Sequence, residues 1–438
     1  MSNKQWTVGI YTLGCKVNQY ESEAIAEELS RLGASIASHS DKCDAYIINT
    51  CTVTAESDRK ARQFIRRAIS QNPSAVIAVT GCLAQTAKEA LCSVKGIDAI
   101  IGNTEKLLTA KIVLELLEKG KKSPSPVILV GDVENAPFEN MSISRFDRTR
   151  AYVKIEDGCE NRCTYCIIPS ARGKVRSKLP EHVLREVECL TCGGCREVVL
   201  TGIETASYGK DLESGSLSSL LSEVDKIEGI GRIRLGSLDP SLIKEGFADG
   251  ISELRSLAPH FHLSLQSGSN RILALMKRKY NREQALKAIT LLRDRIPEVK
   301  FTTDVIVGFP GETESDFADT YDFIKTAKFL NVHIFPYSKR NGTLAAKMEG
   351  QIPEDVKKTR LHKLEALVSE IRSELLSEEI ALRPIKEVLF ETYKDGYAYG
   401  HTPDFIEVRV PAEKELHARV MSVRLIGTDG SMCFGELL

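Results

Sequence analysis

The sequence of 438 residues lacks the features that would place it in a membrane or outside the cell. It contains no run of about 18 or more apolar residues, so no transmembrane helix is expected. The start, Met1 to Trp6, has no apolar segment of the kind that a secretory signal peptide carries. An excess of either charge is also missing, because the formal net charge is −1 at pH 7. We therefore expect a cytoplasmic protein without a membrane partner, and any RNA site must come from local basic clusters.

The sequence does contain twelve cysteines, in a composition that is otherwise ordinary for a globular protein: 42% hydrophobic and 27% charged. In a long chain without a leader, so many cysteines favour a reducing compartment and metal ligation over a disulfide framework. The length predicts about two to four domains.

Three of the cysteines form the spacing C-x3-C-x2-C, and we call Cys159, Cys163 and Cys166 the barrel trio. They follow an apolar alternating run at 151–155, which predicts a strand with the cysteines at its carboxyl end, where α/β folds build sites. Three thiolates can bind three irons of a [4Fe–4S] cluster and leave the fourth iron free for a small molecule. A zinc site or incidental thiols are the alternatives, but zinc prefers four ligands, and no fourth Cys or His lies nearby.

Residues 1 to about 120 alternate strand and helix patterns, which predicts a small parallel sheet with helices on both faces. The expected strands are 6–11, 45–49 and 75–79, and the expected helices start near Glu21, Ser57 and Ala84. One cysteine follows each strand, and we call Cys15, Cys51 and Cys82 the N-terminal trio. Because parallel strands end at one edge of the sheet, we expect this trio to meet there and hold a second cluster. Three buried free cysteines are the alternative.

The remaining sequence predicts two further regions. The polar segment 118–126 indicates the exit from the first domain. Renewed strand and helix alternation predicts six βα units in an open, partial barrel, with strands at 152–156, 197–201, 232–236, 261–265, 300–307 and 331–337. A charged amphipathic helix at 357–382 follows, and short strands in the last fifty residues predict a small five-stranded β-barrel. The expected class is α/β, with domains at 1–122, 145–375 and 376–438.

These motifs resemble a known enzyme family. The barrel trio and the segment that follows it, from Cys163 to Ser177, are similar to the methylthiotransferase branch of the radical S-adenosylmethionine (SAM) enzymes. The flanks of the N-terminal trio, such as Gly14-Cys15-Lys16-Val17-Asn18-Gln19, resemble the N-terminal domain of that branch, which carries an auxiliary [4Fe–4S] cluster. The segment from Gly400 to Phe405 resembles a TRAM domain, an OB-like RNA-binding module.

The resemblance implies two [4Fe–4S] clusters and two molecules of SAM per turnover. The cluster on the barrel trio would bind and reduce SAM, giving a 5′-deoxyadenosyl radical that takes hydrogen from a carbon atom. The cluster on the N-terminal trio would supply sulfur, which a second SAM methylates. The electron donor would be a protein such as flavodoxin or ferredoxin, and the sulfur source stays open.

The resemblance also places SAM at the carboxyl ends of the barrel strands. The turn from Thr201 to Glu204 is the expected position of the SAM amino and carboxylate groups. Glycines at 202, 268 and 308 would let a ligand approach the backbone closely. The expected SAM-binding residues are Tyr165, Thr201, Gly202, Glu204, Ser237, Gln266, Asp304 and Gly308.

A tRNA substrate would need basic and aromatic contacts for phosphates and bases. The expected RNA-binding residues are Arg172, Lys174, Arg176, Lys277, Arg278, Lys279, Lys394, Tyr397 and His401. From Lys386 onward, however, the chain carries six Lys and Arg against nine Asp and Glu, a net charge of 6 − 9 = −3. A purely structural role for the C-terminal barrel is therefore the alternative.

The loops at 14–19, 52–54 and 57–62 most resemble the branch that acts on tRNA N6-threonylcarbamoyladenosine next to the anticodon. Branches that modify tRNA isopentenyladenosine or an aspartate of a ribosomal protein are the alternatives within the family. A non-catalytic iron–sulfur or zinc protein that binds RNA is the alternative of another class. Cys189, Cys192 and Cys195 form C-x2-C-x2-C before the second barrel strand, on the face away from the expected chemistry, so we expect no functional metal there.

Overall fold

The computed structural model describes residues 5–120, 125–146 and 148–438. These residues form an N-terminal parallel sheet, a central partial barrel and a closed C-terminal β-barrel. The α/β class and the order of the three regions are as the sequence predicts. No helix among the described residues combines the length and apolar character needed to cross a bilayer.

The N-terminal sheet contains six parallel strands in the described residues, in the order β2-β1-β3-β4-β5-β6. Its strands are β1 Thr7–Thr12, β2 Ser35–Ala37, β3 Ala45–Thr50, β4 Val76–Gly81, β5 Ala99–Ile101 and β6 Val127–Leu129. Its helices are α1 Lys16–Arg31, α2 Ala55–Gln71, α3 Cys82–Thr86, α4 Lys88–Cys92 and α5 Thr109–Lys119. Strands β3 and β4 are buried along their whole length, because helices cover both faces of a parallel sheet.

The segment 118–126 is not the exit from this sheet. Strand β6 follows it and pairs in parallel with β5, from Ala99 opposite Val127 to Ile101 opposite Leu129. Part of the segment, residues 121–124, lies outside the described residues. The sheet therefore extends beyond the limit predicted at residue 122, whereas the limits near 145 and 375 stay predictions.

The central region holds six longer parallel strands and a short β8–β9 pair. Its strands are β7 Ala151–Lys154, β8 Glu156–Asp157, β9 Arg176–Ser177, β10 Glu197–Thr201, β11 Arg232–Leu235, β12 His260–Gln266, β13 Lys300–Val307 and β14 Asn331–Pro336. Its helices are α6 Ile168–Arg172, α7 Pro180–Cys192, α8 Leu217–Val224, α9 Glu245–Ser252, α10 Asn270–Leu275, α11 Arg282–Arg295, α12 Glu314–Ala327 and α13 Glu354–Leu382.

These strands form an open barrel, as predicted. Two parallel sheets, β7-β10-β11 and β12-β13-β14, meet at isolated parallel bridges such as Leu238 to Leu263. On β12 to β14 one set of alternate side chains packs in the core, and the other set, which includes His262, Asp304 and His333, lines the barrel interior. Helix α1 packs against β7, and the hydrophobic core runs without interruption from the N-terminal sheet into the barrel. The N-terminal domain therefore covers the open side of the barrel.

The C-terminal region is a closed five-stranded barrel in the order β15-β16-β17-β19-β18, as the sequence predicts. Its strands are β15 Ile385–Lys394, β16 Tyr397–His401, β17 Glu407–Pro411, β18 Val420–Thr428 and β19 Cys433–Leu437. Phe405 stacks between the rings of His260 and His401, at 4.6 Å from each, and lies 4.7 Å from the Arg234 guanidinium. The loop before β17 thus closes the end of the partial barrel opposite to the carboxyl ends of its strands.

Candidate active site between the N-terminal sheet and the barrel

The N-terminal trio lies at the carboxyl ends of three neighbouring strands. Cys15 caps α1 after β1, Cys51 directly follows β3, and Cys82 begins α3 after β4. Gly14 has a φ of 108°, and a Cβ there would lie 2.7 Å from the Cβ of Cys51, so the first two loops touch. Burial raises the pKa of Cys51 to about 12, and the charges of Cys82 and Cys15 contribute to this rise. The three cysteines therefore lie near one another at one edge of the sheet.

The barrel trio lies in the loop that follows β8. Backbone N–H groups of Asn161 and Ile168 donate to the sulfurs of Cys159 and Cys166, each at 3.4 Å. The guanidinium of Arg278 donates to the sulfur of Cys163 at 3.3 Å. Hydrogen bonds of this kind stabilise thiolate ligands and tune iron–sulfur clusters.

The donor sets fit iron–sulfur clusters better than zinc. All six thiols are free. Sulfurs around a tetrahedral zinc lie about 3.8 Å apart. In each trio, by contrast, the three sulfurs do not all lie within 4.8 Å of one another. Each trio thus spans a wider space than one zinc ion fills. Burial raises the pKa of Cys159 and Cys166 to about 12, so these thiols lose their protons only when a metal binds.

A buried ionic network joins the two trios. Arg172, at the end of α6, is fully buried and donates to Glu21 at 2.5 Å and to Asp157 at 3.2 Å. Lys154 donates to Glu21 at 2.9 Å and to Asp157 at 2.8 Å, and Lys106 also pairs with Glu21. Burial opposes ionisation of Glu21, but Arg172, Lys106 and Lys154 outweigh it and hold its pKa well below the usual value.

This network extends to the loops that carry the cysteines. Arg172 donates to Asn18 Oδ1 at 2.6 Å, and Asn18 Nδ2 donates to the carbonyls of Leu13 and Thr50. On the other side, Asn103 Nδ2 donates to the carbonyl of Ala171 at 2.7 Å and lies 3.8 Å from the Cys82 sulfur. One cation therefore fixes the loops of both trios relative to each other.

The loop after β14 forms a second connection between the trios. Arg340 donates to Thr52 at 2.6 Å and pairs with Asp58 at 2.9 Å, both just after Cys51. Farther along the same loop, the N–H of Ala345 donates to the carbonyl of Thr164 in the barrel-trio loop at 2.8 Å. The loop after β14 thus holds the two trio loops together at the junction of the N-terminal sheet and the barrel.

Several predicted SAM residues lie around the barrel trio. Asn161 donates to Glu204 at 3.1 Å, and the Glu204 N–H donates to Glu156 at 2.8 Å. Burial raises the pKa of Glu204 to about 7, with a further contribution from Asp239. Thr201 ends β10 and Gly202 follows it, and Tyr165 lies within the trio loop. Gln266 ends β12, whereas Ser237 and Gly308 follow the ends of β11 and β13. Unlike the predicted SAM residues at the strand ends, Asp304 lies within β13 and pairs with His262 at 3.2 Å.

The glycines at the strand ends are required by the protein itself. A Cβ at Gly202 would lie 2.5 Å from Glu156, one at Gly268 would lie 2.7 Å from Phe323, and one at Gly308 would meet the stem of Lys357. Packing therefore explains these glycines on the side where a Cβ would point, and their approach to a ligand stays a prediction.

Three of the predicted RNA contacts are also wrong. Arg172 belongs to the buried network, and Arg176 is buried and donates to the carbonyl of Val133 at 2.9 Å. Arg278 is held inside the cleft by Asp239 at 2.7 Å and by Cys163. All three cations have protein partners and almost no exposure to solvent.

The other predicted RNA residues stay predictions. Lys174, Lys277, Lys279, Lys394 and Tyr397 are exposed. His401 is only half-buried, but its ring is engaged by Glu391 and Phe405.

The cysteines at 189, 192 and 195 do not converge. Cys189 and Cys192 are exposed in the last turn of α7, whereas Cys195 is buried and donates to the carbonyl of Glu197 at 3.2 Å. The expectation that no functional metal binds there stays a prediction.

Sequence reasoning missed the residues that hold the two trios together. Glu21, Lys106 and Lys154 are far apart in the chain, and Glu21 and Lys106 look like ordinary surface charges in their own helical segments. The sequence did contain one signal of a buried ion pair. Lys154 lies in the apolar run before the barrel trio, and a lysine that is buried in a strand requires a carboxylate partner.

Comparison with known proteins was consistent with this geometry. Residues 7–102 match the model of the Uncharacterized protein family UPF0004, and residues 153–324 match the Radical SAM superfamily. The chain is 41% identical over 426 residues to threonylcarbamoyladenosine tRNA methylthiotransferase of Bacillus subtilis, covering 96% of this chain and 94% of that protein. It is 37% identical to tRNA-2-methylthio-N(6)-dimethylallyladenosine synthase of Acetivibrio thermocellus, covering 94% and 87%.

Among solved structures, the chain is similar to a radical S-adenosylmethionine methyltransferase from Kitasatospora setae with cobalamin and a [4Fe–4S] cluster bound. The TM-score is 0.56 over 76% of this chain and 75% of that chain. The sequences are 17% identical, so this likeness supports the fold alone.

The buried network gives a direct prediction for stability. Replacing Arg172 by Met removes the shared partner of two buried carboxylates, and breaking a buried ion pair costs about 3–5 kcal/mol. We expect the Arg172→Met variant to unfold at a clearly lower denaturant concentration. The matched control is Arg59→Met, which removes an exposed pair with Glu56 and should leave the midpoint unchanged. Equal midpoints for Arg172→Met and the unaltered protein would contradict the network's role.

Proposed function

We propose that this chain, which belongs to the radical SAM methylthiotransferase family, adds a methylthio group to carbon 2 of N6-threonylcarbamoyladenosine in tRNA. The product is 2-methylthio-N6-threonylcarbamoyladenosine, next to the anticodon. Two cysteine trios whose loops are joined by one buried ionic network are the observation that supports this chemistry. Relatives named for this nucleoside, in Bacillus subtilis and Aquifex aeolicus, are 41% and 40% identical. Relatives named for dimethylallyladenosine, at 35–37%, make that nucleoside the second candidate.

SAM and iron–sulfur chemistry belong to this family, and we assign one cluster to each trio. When bound, two [4Fe–4S] clusters and SAM supply the radical that activates the nucleoside and the methylated sulfur that replaces its hydrogen. The chain's own residues prepare the charge balance. Beside Cys15 and Cys82 the protein buries Arg172, Lys106 and Lys154 against the carboxylates of Glu21 and Asp157. This excess of positive charge favours thiolates and an anionic group at the N-terminal trio.

The SAM amino group is assigned to the turn after β10. Glu204 faces a cleft that Asn161, Asp239 and Lys279 also line. Two carboxylates close together disfavour each other's charge, and an ammonium group placed between them relieves that repulsion. Arg278 holds Asp239 in place at 2.7 Å. These residues therefore orient a zwitterionic amino acid group close to the barrel trio.

The tRNA is assigned to the rim of the same cleft. Lys174, Lys277 and Lys279 are exposed near the barrel trio and can contact phosphates, while Lys394 and Tyr397 present a separate exposed hairpin. We place the reaction in the cytoplasm, with electrons supplied by a small protein such as flavodoxin or ferredoxin.

The assignment of two clusters predicts the iron content of variants. Full-length protein reconstituted without oxygen should contain about eight irons per chain, and replacing either trio by alanines should leave about four. A Cys189→Ala, Cys192→Ala double variant, which alters exposed thiols outside both trios, should keep the full content. Iron and sulfide assays with Mössbauer spectroscopy measure this. About four irons in the unaltered protein would refute the second cluster.

The substrate is tested by the nucleosides of a deletion strain. Mass spectrometry of digested tRNA should show loss of 2-methylthio-N6-threonylcarbamoyladenosine and accumulation of its precursor. Complementation with the intact gene should restore it, and complementation with a Cys163→Ala variant should not. Loss of only the methylthiolated isopentenyl nucleoside would favour the second candidate.

The raised pKa of Glu204 predicts how SAM affinity varies with pH. Below about 7 Glu204 is largely neutral, so it attracts the SAM ammonium group less, and above 7 it is ionised. An α-amino group keeps its proton up to about pH 7.7. The dissociation constant of SAM, measured by equilibrium dialysis, should therefore fall between pH 6 and pH 7.5. A Glu204→Gln variant should bind more weakly and lose this dependence, and a retained dependence would exclude Glu204 as its source.

A further inference from the structure

The interior wall of the partial barrel carries three polar side chains that the chemistry described above does not use. Asp304 lies opposite His333 in the register of β13 and β14, and His262 lies on β12 beside them. His262 Nε2 is 3.2 Å from Asp304 Oδ2, and the ligand atoms of all three side chains lie within 4.8 Å of one another. They therefore form a compact polar patch on the interior wall of the barrel.

A chain of hydrogen bonds fixes the orientation of this patch. Thr302 Oγ1 lies 2.9 Å from His262 Nδ1 and 3.0 Å from His260 Nε2. If Thr302 donates its single proton to His262, it accepts one from His260, and His262 then donates from Nε2 to Asp304. Burial holds the pKa of His260 well below the usual value, which agrees with a neutral ring in this chain. One carboxylate oxygen of Asp304 is thus engaged by the wall, and the other remains available to accept a hydrogen bond.

Lys16 brings a positive charge to the same cavity from the N-terminal domain. It directly follows Cys15, at the first position of α1. Its charge interacts with those of Asp304, His260 and His333 on the wall and with Cys15 of the N-terminal trio, so Lys16 lies near both. In the part of the chain that the structure describes, no carboxylate forms an ion pair with Lys16. Its side chain is nevertheless accessible to solvent, as expected for a residue that lines a cleft.

The surrounding charge decides which kind of ligand suits this patch. Two histidines and one carboxylate at these distances resemble a divalent metal site. Arg234 is neutralised by its pair with Glu197 at 2.9 Å, but Lys16 adds a positive charge near the patch, and like charges repel a metal ion. An organic group that carries both a carboxylate and hydrogen-bond donors fits better.

We propose that Lys16, His333 and Asp304 form a subsite for the amino acid part of the modified nucleoside, with Lys16 and His333 binding its carboxylate and Asp304 accepting from its hydroxyl or urea N–H. This inference rests on the proposed function, in which the substrate is N6-threonylcarbamoyladenosine. The substituent on N6 and carbon 2 lie on the same edge of the adenine ring. Since Lys16 adjoins Cys15, binding the substituent here directs that edge towards the N-terminal trio. An isopentenyl group has neither charge nor donors, so this subsite would select against it.

Binding of three anticodon stem-loop RNAs to the reconstituted full-length protein tests the proposal. The RNAs carry N6-threonylcarbamoyladenosine, its methyl ester or N6-isopentenyladenosine, and fluorescence anisotropy gives each dissociation constant. The unaltered protein should prefer the free acid to the ester by about tenfold to a hundredfold, the range of a charge-assisted hydrogen bond. Lys16→Met should lose most of this preference, His333→Phe should lose part of it, and Lys16→Arg should retain it.

The matched control is Lys226→Met, which alters an exposed lysine paired with Glu223 on the barrel's outer surface and should leave the preference unchanged. Iron content and the visible spectrum of each variant exclude damage to the adjacent trio. The proposal is overturned if Lys16→Met and His333→Phe discriminate acid from ester as the unaltered protein does. It is also overturned if elemental analysis finds a non-iron divalent metal that His333→Phe loses. If the unaltered protein methylthiolates only the isopentenyl RNA, the proposed function itself has failed, whatever the variants do.

Discussion

The architecture depends on one buried guanidinium. Arg172 lies at the point where the N-terminal sheet meets the barrel, with no exposure to solvent, and binds Glu21 from one domain and Asp157 from the other. A buried charge is costly unless its hydrogen bonds are met, and here carboxylates and the amide of Asn18 meet most of them. Such an arrangement tolerates only one relative placement of the two domains, since a small displacement would leave several buried charges without partners. The interface is therefore set by charge geometry as well as by the shared hydrophobic core.

This placement has a chemical consequence. Each trio by itself lies at the carboxyl ends of parallel strands, which is the usual place for a site in either type of α/β domain. The network and the loop that carries Arg340 turn these two edges towards each other. The loops of both trios therefore meet at the junction of the two domains, and Phe405 stacks on His260 at the opposite end of the barrel strands. The reaction proposed above needs both trios close to one nucleoside, and this placement agrees with that need.

The sequence predicted the parts of this arrangement that follow from repeating patterns. Alternating strands and helices predicted the parallel sheet of the N-terminal domain and the parallel strands of the barrel. Because parallel strands end at one edge of a sheet, the sequence also predicted that Cys15, Cys51 and Cys82 lie together. The strands β2, β5 and β6 were missed because three residues are too few to show a pattern. Arg172 and Arg176 were taken for surface residues, because a sequence shows the sign of a charge and not its burial. Glu21 and Lys106 were missed for the same reason, since a buried ion pair between distant residues has no local spacing to reveal it.

We propose that Arg172 holds the two cluster-binding trios next to each other where the N-terminal sheet meets the barrel. An iron anomalous difference map from crystals grown without oxygen tests it most directly. We expect two separate iron peaks, one at Cys15, Cys51 and Cys82 and one at Cys159, Cys163 and Cys166. Both sites should open to the same cleft, with Arg172 between their loops. A single peak, or two peaks that face different sides of the molecule, would contradict it.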